Sequence, residues 1–224
     1  MKTKFPQILL FLSCILTGCS AKKNRSNLAN NYYHQALEAA EKNPREALDL
    51  LEKSLNEQVI PRALIFKATL LYQTKEYAES LTLFEKIIKD KSYPETLQTD
   101  ALNNYACLLV NMHKLDQAEK VWQQLINNKH YLSPEVAWFN IGLLNLNRQA
   151  FNKAAHAFNS AIKIATDYID AYYYLTITLM EMGEWELARK TITELIGQIP
   201  EHQAALELLE QIDQKLKSKK YLAS

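Results

Sequence analysis

Trp138-Phe139-Asn140-Ile141-Gly142-Leu143, followed by Ala150-Phe151-Asn152-Lys153-Ala154-Ala155-His156-Ala157-Phe158, is the stretch that decides the fold of this chain. Phe151, Ala154, Ala155, Phe158, Ala161, Ile162 and Ala165 recur at helical spacing and make one apolar stripe. The small residues Gly142 and Ala154 suit the crossing of two helices, where a larger side chain would overpack the contact by ~1–3 kcal/mol. The same pattern recurs along the chain. Small residues at 47, 80, 118, 154 and 188 are each followed four positions later by Leu51, Phe84, Trp122, Phe158 and Ile192, and the spacings are 33, 38, 36 and 34 residues. A period near 34 residues predicts stacked helical hairpins, each burying an apolar face that it could not bury alone.

Over residues 28–217 the chain resembles the tetratricopeptide repeats. The unit from Glu135 carries Trp138, Ile141-Gly142, Ala154, Phe158 and Ala161, with Thr166 where that family ends on proline. The unit from Ile169 carries Tyr172, Leu175-Thr176, Ala188, Ile192, Leu195 and Pro200, and the unit from Thr99 carries Leu102, Tyr105-Ala106, Ala118, Trp122 and Leu125. From Pro61 the pattern is Leu64, Ala68, Ser80, Phe84 and Ile87. In the first unit the interval from Ala36 to Ala47 is one residue short, and only its second helix is clear. The resemblance implies an all-α superhelix of about five helix-turn-helix repeats. Residues 201–217, with Ala205, Leu209, Ile212 and Leu216 on one face, read as the capping helix that such an array needs. Residues 218–224 remain as a basic C-terminal tail.

The N-terminus follows a different grammar. Lys2 and Lys4 precede the apolar run Ile8 to Leu16, which is too short to span a bilayer, and small residues follow. Leu16-Thr17-Gly18-Cys19 resembles the bacterial lipobox, which implies removal of residues 1–18 and acylation of Cys19. Two or more acyl chains, at ~0.8 kcal/mol per buried methylene, anchor a protein stably. Ser20 after the cysteine is compatible, in that family, with sorting to the inner leaflet of a Gram-negative outer membrane. Residues 19–27 are then expected to be the lipidated terminus and a flexible tether, because 21–27 are polar and patternless. Loss of residues 1–18 removes Cys14, and acylation consumes Cys19. Cys107 is then the one remaining thiol, so no intramolecular disulfide is expected.

Composition narrows the function. Lys and Arg number 26 against 25 Asp and Glu, a net charge of +1 that argues against global attraction to polyanions. Four glycines are too few for a phosphate-cradling loop or a nucleophile elbow combined with the turns of a β protein. His34, His113, His130, His156 and His202 are dispersed without zinc-type spacing, and Cys107 lies within a helical pattern. No catalytic constellation, metal site, cofactor or small-molecule substrate is expected. The Tyr172-Tyr173-Tyr174 run would aim its rings in three directions on a helix, which reads as repeat packing and not as a nucleic-acid platform.

What remains is a surface for another polypeptide. By the tetratricopeptide resemblance, the groove-facing positions include Asn103, Asn104, Cys107 and Asn111, then Phe139, Asn140, Leu143 and Asn147, then Tyr173, Tyr174, Ile177 and Glu181. From these, Asn103, Asn104, Phe139, Asn140, Leu143, Tyr173 and Ile177 form the candidate site. Asn104 and Asn140 share a register position where a carboxamide either holds a ligand backbone or satisfies a neighbouring helix. Phe139 and Tyr173 are the candidate anchors. The stretch Leu102-Asn103-Asn104-Tyr105-Ala106, with Tyr131 and Pro134-Glu135 ahead of Asn140-Ile141-Gly142-Leu143, resembles the type IV pilus biogenesis and stability lipoproteins, the PilF/PilW-type pilotins. That resemblance implies an outer-membrane lipoprotein promoting localisation or multimerisation of the pilus secretin. The alternative is a general envelope scaffold that docks peptidoglycan hydrolases or assists outer-membrane protein assembly.

Overall fold

The computed structural model describes the backbone of residues 8–223 and the side chains of residues 23–218. Eleven helices and no strand are found among the described residues. They are α1 (Ile8–Ala39), α2 (Pro44–Glu57), α3 (Pro61–Gln73), α4 (Tyr77–Lys89), α5 (Glu95–Asn111), α6 (Leu115–Ile126), α7 (Pro134–Asn147), α8 (Phe151–Ile164), α9 (Ile169–Glu181), α10 (Trp185–Gln198) and α11 (Gln203–Ala223). Prolines stand where a missing N–H costs nothing: Pro44, Pro61 and Pro134 open helices, Pro94 precedes α5, and Pro200 lies between α10 and α11. The chain forms two compact units, Met1–Leu108 and Leu109–Ser224.

In the first unit α1 packs on α2 and α3 on α4, with α2 against α3. Ala29, Ala36, Ala47, Leu51 and Ala63 are fully buried in one core, so the degenerate first repeat does form a complete hairpin. Two hydroxyls tie helices across the close crossings. Ser54 Oγ donates to the Ala29 carbonyl and Ser80 Oγ to the Ala68 carbonyl, both at 2.7 Å. In the second unit α7 pairs with α8 and α9 with α10, and α11 covers α10. Its core joins Ala154, Phe158, Tyr172, Leu175, Ala188, Ile192, Leu195 and Ile212.

The tight turns share one geometry. Lys75, His113, Gln149 and Gly183 have φ of 69°, 59°, 58° and 76°. The next residue in each turn, Glu76, Lys114, Ala150 or Glu184, donates its N–H to the carbonyl of Leu71, Leu109, Asn145 or Leu179 at 2.8–2.9 Å. This is the Schellman arrangement, with the left-handed residue satisfying the last carbonyls of the preceding helix. Glycine occupies one of the four positions, so the chain builds these turns despite its low glycine content. The first hairpin turns differently. Lys42 and Asn43 both donate to the Ala39 carbonyl, at 3.1 and 2.8 Å, and Asn43 caps α2 by accepting from the Glu46 N–H. The shorter turn accounts for the Ala36–Ala47 interval.

The helices at the two ends run past residues 28–217. Helix α1 runs through residues 21–27, where a tether was expected, because that polar stretch contains no Gly or Pro to stop a helix. Helix α11 continues to Ala223, so the basic tail forms its last turns. Most of the signal segment and Cys19 itself lie in helical backbone, but residues 1–7 and the side chain of Cys19 are outside the described residues. No described helix is long and apolar enough to cross a membrane.

Candidate protein-binding surface

Asn103 and Asn104 sit on α5 in the first unit, both half-buried. Asn104 Nδ2 donates to Thr69 Oγ1 on α3 at 3.4 Å, so this carboxamide is engaged with the preceding repeat. Cys107, half-buried on the same helix, has its thiol pushed up to about 11 by burial.

The other five candidates belong to the second unit and occupy two helices that touch, α7 and α9. Phe139 and Leu143 stand one turn apart on α7, with Asn140 beside them, and Tyr173 and Ile177 stand one turn apart on α9. All five are half-buried and none carries a formal charge. Asn140 already makes a contact within the chain. Phe139 is half-buried among aromatic rings. Its ring lies 5.7 Å from that of Phe158, 5.0 Å from Tyr168 and 5.7 Å from Tyr174, and Phe158 in turn stacks on Tyr174 at 6.0 Å. Phe139 therefore packs α7 against α8 and α9 with part of its surface still exposed. Tyr173 meets Tyr174 edge-on at 5.6 Å and His202 at 6.1 Å, placing it at the turn into α11. The Tyr172-Tyr173-Tyr174 run does serve packing, with Tyr172 in the core.

Other features are invisible to periodicity. Tyr168 is pushed up to about 12, first by burial and then by the charges of Asp170 and Glu135. Arg148, capping α7, donates to Glu119 Oε2 at 2.7 Å and Asp116 Oδ1 at 2.6 Å, tying α7 to α6. In the first unit a cleft of about 600 Å³ opens among α2, α3 and α4. In its wall Lys67 Nζ lies 2.9 Å from Glu52 and 3.4 Å from Glu79. Burial pushes the Lys67 ammonium down, but the hydrogen bonds and charges of both glutamates outweigh it, so the pKa is raised. Partners 29 to 32 residues apart, as for Arg148, leave no local sequence signal. Among the described residues no group of three His, Cys, Asp or Glu side chains is placed to hold a metal ion.

Paired antiparallel helices, small-residue crossings and a 34-residue period define an all-α tetratricopeptide-repeat fold. Two tetratricopeptide-repeat family models match, over residues 105–169 and 146–212. Among solved structures, the chain is similar to PilF of Pseudomonas aeruginosa (16% identity, TM-score 0.65, covering 89% of this chain and 99% of that one). It is also similar to MamA of Desulfovibrio magneticus RS-1 (17%, 0.58, 78% and 96%). A third is YrrB, described as a tetratricopeptide-repeat protein with an unusual peptide-binding site (20%, 0.53, 79% and 89%). At these identities the likeness is one of fold alone. No curated protein matches the sequence.

Proposed function

We propose that the chain is a lipid-anchored adaptor of the Gram-negative outer membrane, facing the periplasm, that holds a protein partner and performs no covalent chemistry. The observation that carries this reading is the lipobox, Leu16-Thr17-Gly18-Cys19, standing directly before a tetratricopeptide array. The partner is the secretin of the type IV pilus, and the chain promotes its localisation or multimerisation. The Asn103-Asn104-Tyr105-Ala106 element and the likeness in fold to PilF support this choice. An anchor at the outer membrane raises the local concentration of whatever the repeats hold, which favours assembly of a multimer there. Tyr173, Ile177 and Leu143 supply the apolar contact, with Asn140 as a polar neighbour on α7, and in the first unit Asn103 and Asn104 offer carboxamides of their own.

Deletion of the gene is expected to reduce the heat-stable secretin multimer and abolish twitching motility. Complementation with Cys19→Ser should fail if anchoring is required. Normal pili together with altered cell shape or loss of hydrolase retention would overturn the secretin assignment in favour of the envelope-scaffold reading.

A further inference from the structure

Helix α1 continues without a break from Cys19 into the first hairpin. Lys23 follows Cys19 by four residues and Arg25 by six. At ~1.5 Å per residue they lie at most ~6 and ~9 Å along the axis from the anchor point, whatever the tilt of the helix. A coil of the same four and six residues would instead span ~10–12 and ~12–15 Å. Both cations are therefore kept within or near one screening length, ~8–10 Å, of any bilayer that holds Cys19. Their charge is little offset from within the chain. No Asp or Glu occurs in residues 1–37, and Lys22 adds a third cation in sequence. Lys23 is exposed, and the Arg25 side chain is 71% exposed, with Glu57 at 3.9 Å as its acidic neighbour. Leu28, on the next turn, is exposed as well.

We infer that α1 stands end-on at an anionic phospholipid surface, with Lys23 and Arg25, ~200° apart around its axis, both at the headgroup layer, so that the first hairpin is held close to the membrane. This inference rests on the proposed anchoring at Cys19. A juxtamembrane cation near an anionic surface contributes enough that losing two should weaken partition about thirtyfold.

The test separates this inference from the acylation reading by attaching the lipid chemically. The chain begun at Cys19 retains every described side-chain contact. It is coupled at Cys19 to a single acyl chain, which by itself gives only marginal, reversible membrane binding. The substitution Cys107→Ser leaves Cys19 as the one thiol available for coupling. Partition is measured on vesicles of phosphatidylcholine alone and of phosphatidylcholine with phosphatidylglycerol. The expected result is a strong preference for the anionic vesicles that is lost in high salt. The preference should fall about thirtyfold in Lys23→Gln/Arg25→Gln and persist in Lys23→Arg/Arg25→Lys. Equal partition on both vesicles, or an unchanged preference in the glutamine variant with helix content intact, would overturn it. Absence of palmitate incorporation at Cys19 in cells would sink the anchoring reading without touching the vesicle result.

Discussion

Gly142→Ala sets two effects of opposite sign against each other. Within a helix, alanine is favoured over glycine by about 0.8–1 kcal/mol, and Gly142 lies well inside α7. A Cβ at that position would come within 2.6 Å of Phe158 Cδ1 and 2.8 Å of Cζ, and closer still to Cε1. The ring cannot swing aside, because Phe158 is fully buried, stacked on Tyr174 and flanked by Phe139. Overpacking of this kind costs about 1–3 kcal/mol, so the steric effect should cancel or exceed the gain in helix propensity. Gly197, near the end of α10, is the matched control, since a Cβ there meets nothing within 4 Å. Gly197→Ala should stabilise the chain by about 0.5–1 kcal/mol. Urea denaturation followed by far-UV circular dichroism would place the two variants about 1–3 kcal/mol apart. Combining Gly142→Ala with Phe158→Leu should recover part of the loss as a favourable coupling in a double-mutant cycle. A Gly142→Ala variant as stabilised as Gly197→Ala would refute the close helix crossing on which the second unit is built.

The remaining expectations concern other joints of the array. Lys75→Gly or Gln149→Gly should raise stability by up to about 1 kcal/mol by relieving a left-handed backbone, whereas Gly183→Ala should lower it by a similar amount; thermal melts decide. Lys67→Met leaves Glu52 and Glu79 without their shared cation and should destabilise the first unit, by about 1 kcal/mol for a part-exposed pair. Because the Lys67 pKa is raised in the folded chain, its contribution is fully present below the unfolded lysine pKa and fades as pH rises through the folded value; a denaturation series at alkaline pH should show wild type converging on the variant. Phe139→Ala should cost about 3 kcal/mol or more in stability, while Ile177→Ala and Tyr173→Ala should weaken partner capture with smaller losses; equal destabilisation by all three in melts and pull-downs would remove the case for a binding face on α9.

Local pattern was sufficient for the hairpin array, because each helix announces itself through its own spacing: Ala154, Phe158 and Ala161 on α8, or Ala188, Ile192 and Leu195 on α10, are buried as their register requires. The small residues at the crossings were legible for the same reason. The lipobox is equally a property of contiguous residues. Phe139 shows where this kind of reasoning stops. Its register was readable, but whether its ring faces a ligand or fills a gap depends on Phe158, Tyr168 and Tyr174, which are brought to it from 19, 29 and 35 positions away. The Asn104–Thr69 hydrogen bond and the clamps of Arg148 and Lys67 are of the same non-local kind. Helix periodicity is encoded within a few turns of chain, so the sequence by itself determined the class of fold and the candidate faces. Which side chains are left over for a partner is decided only when distant turns compete for the same space, and that competition takes place in the tertiary structure.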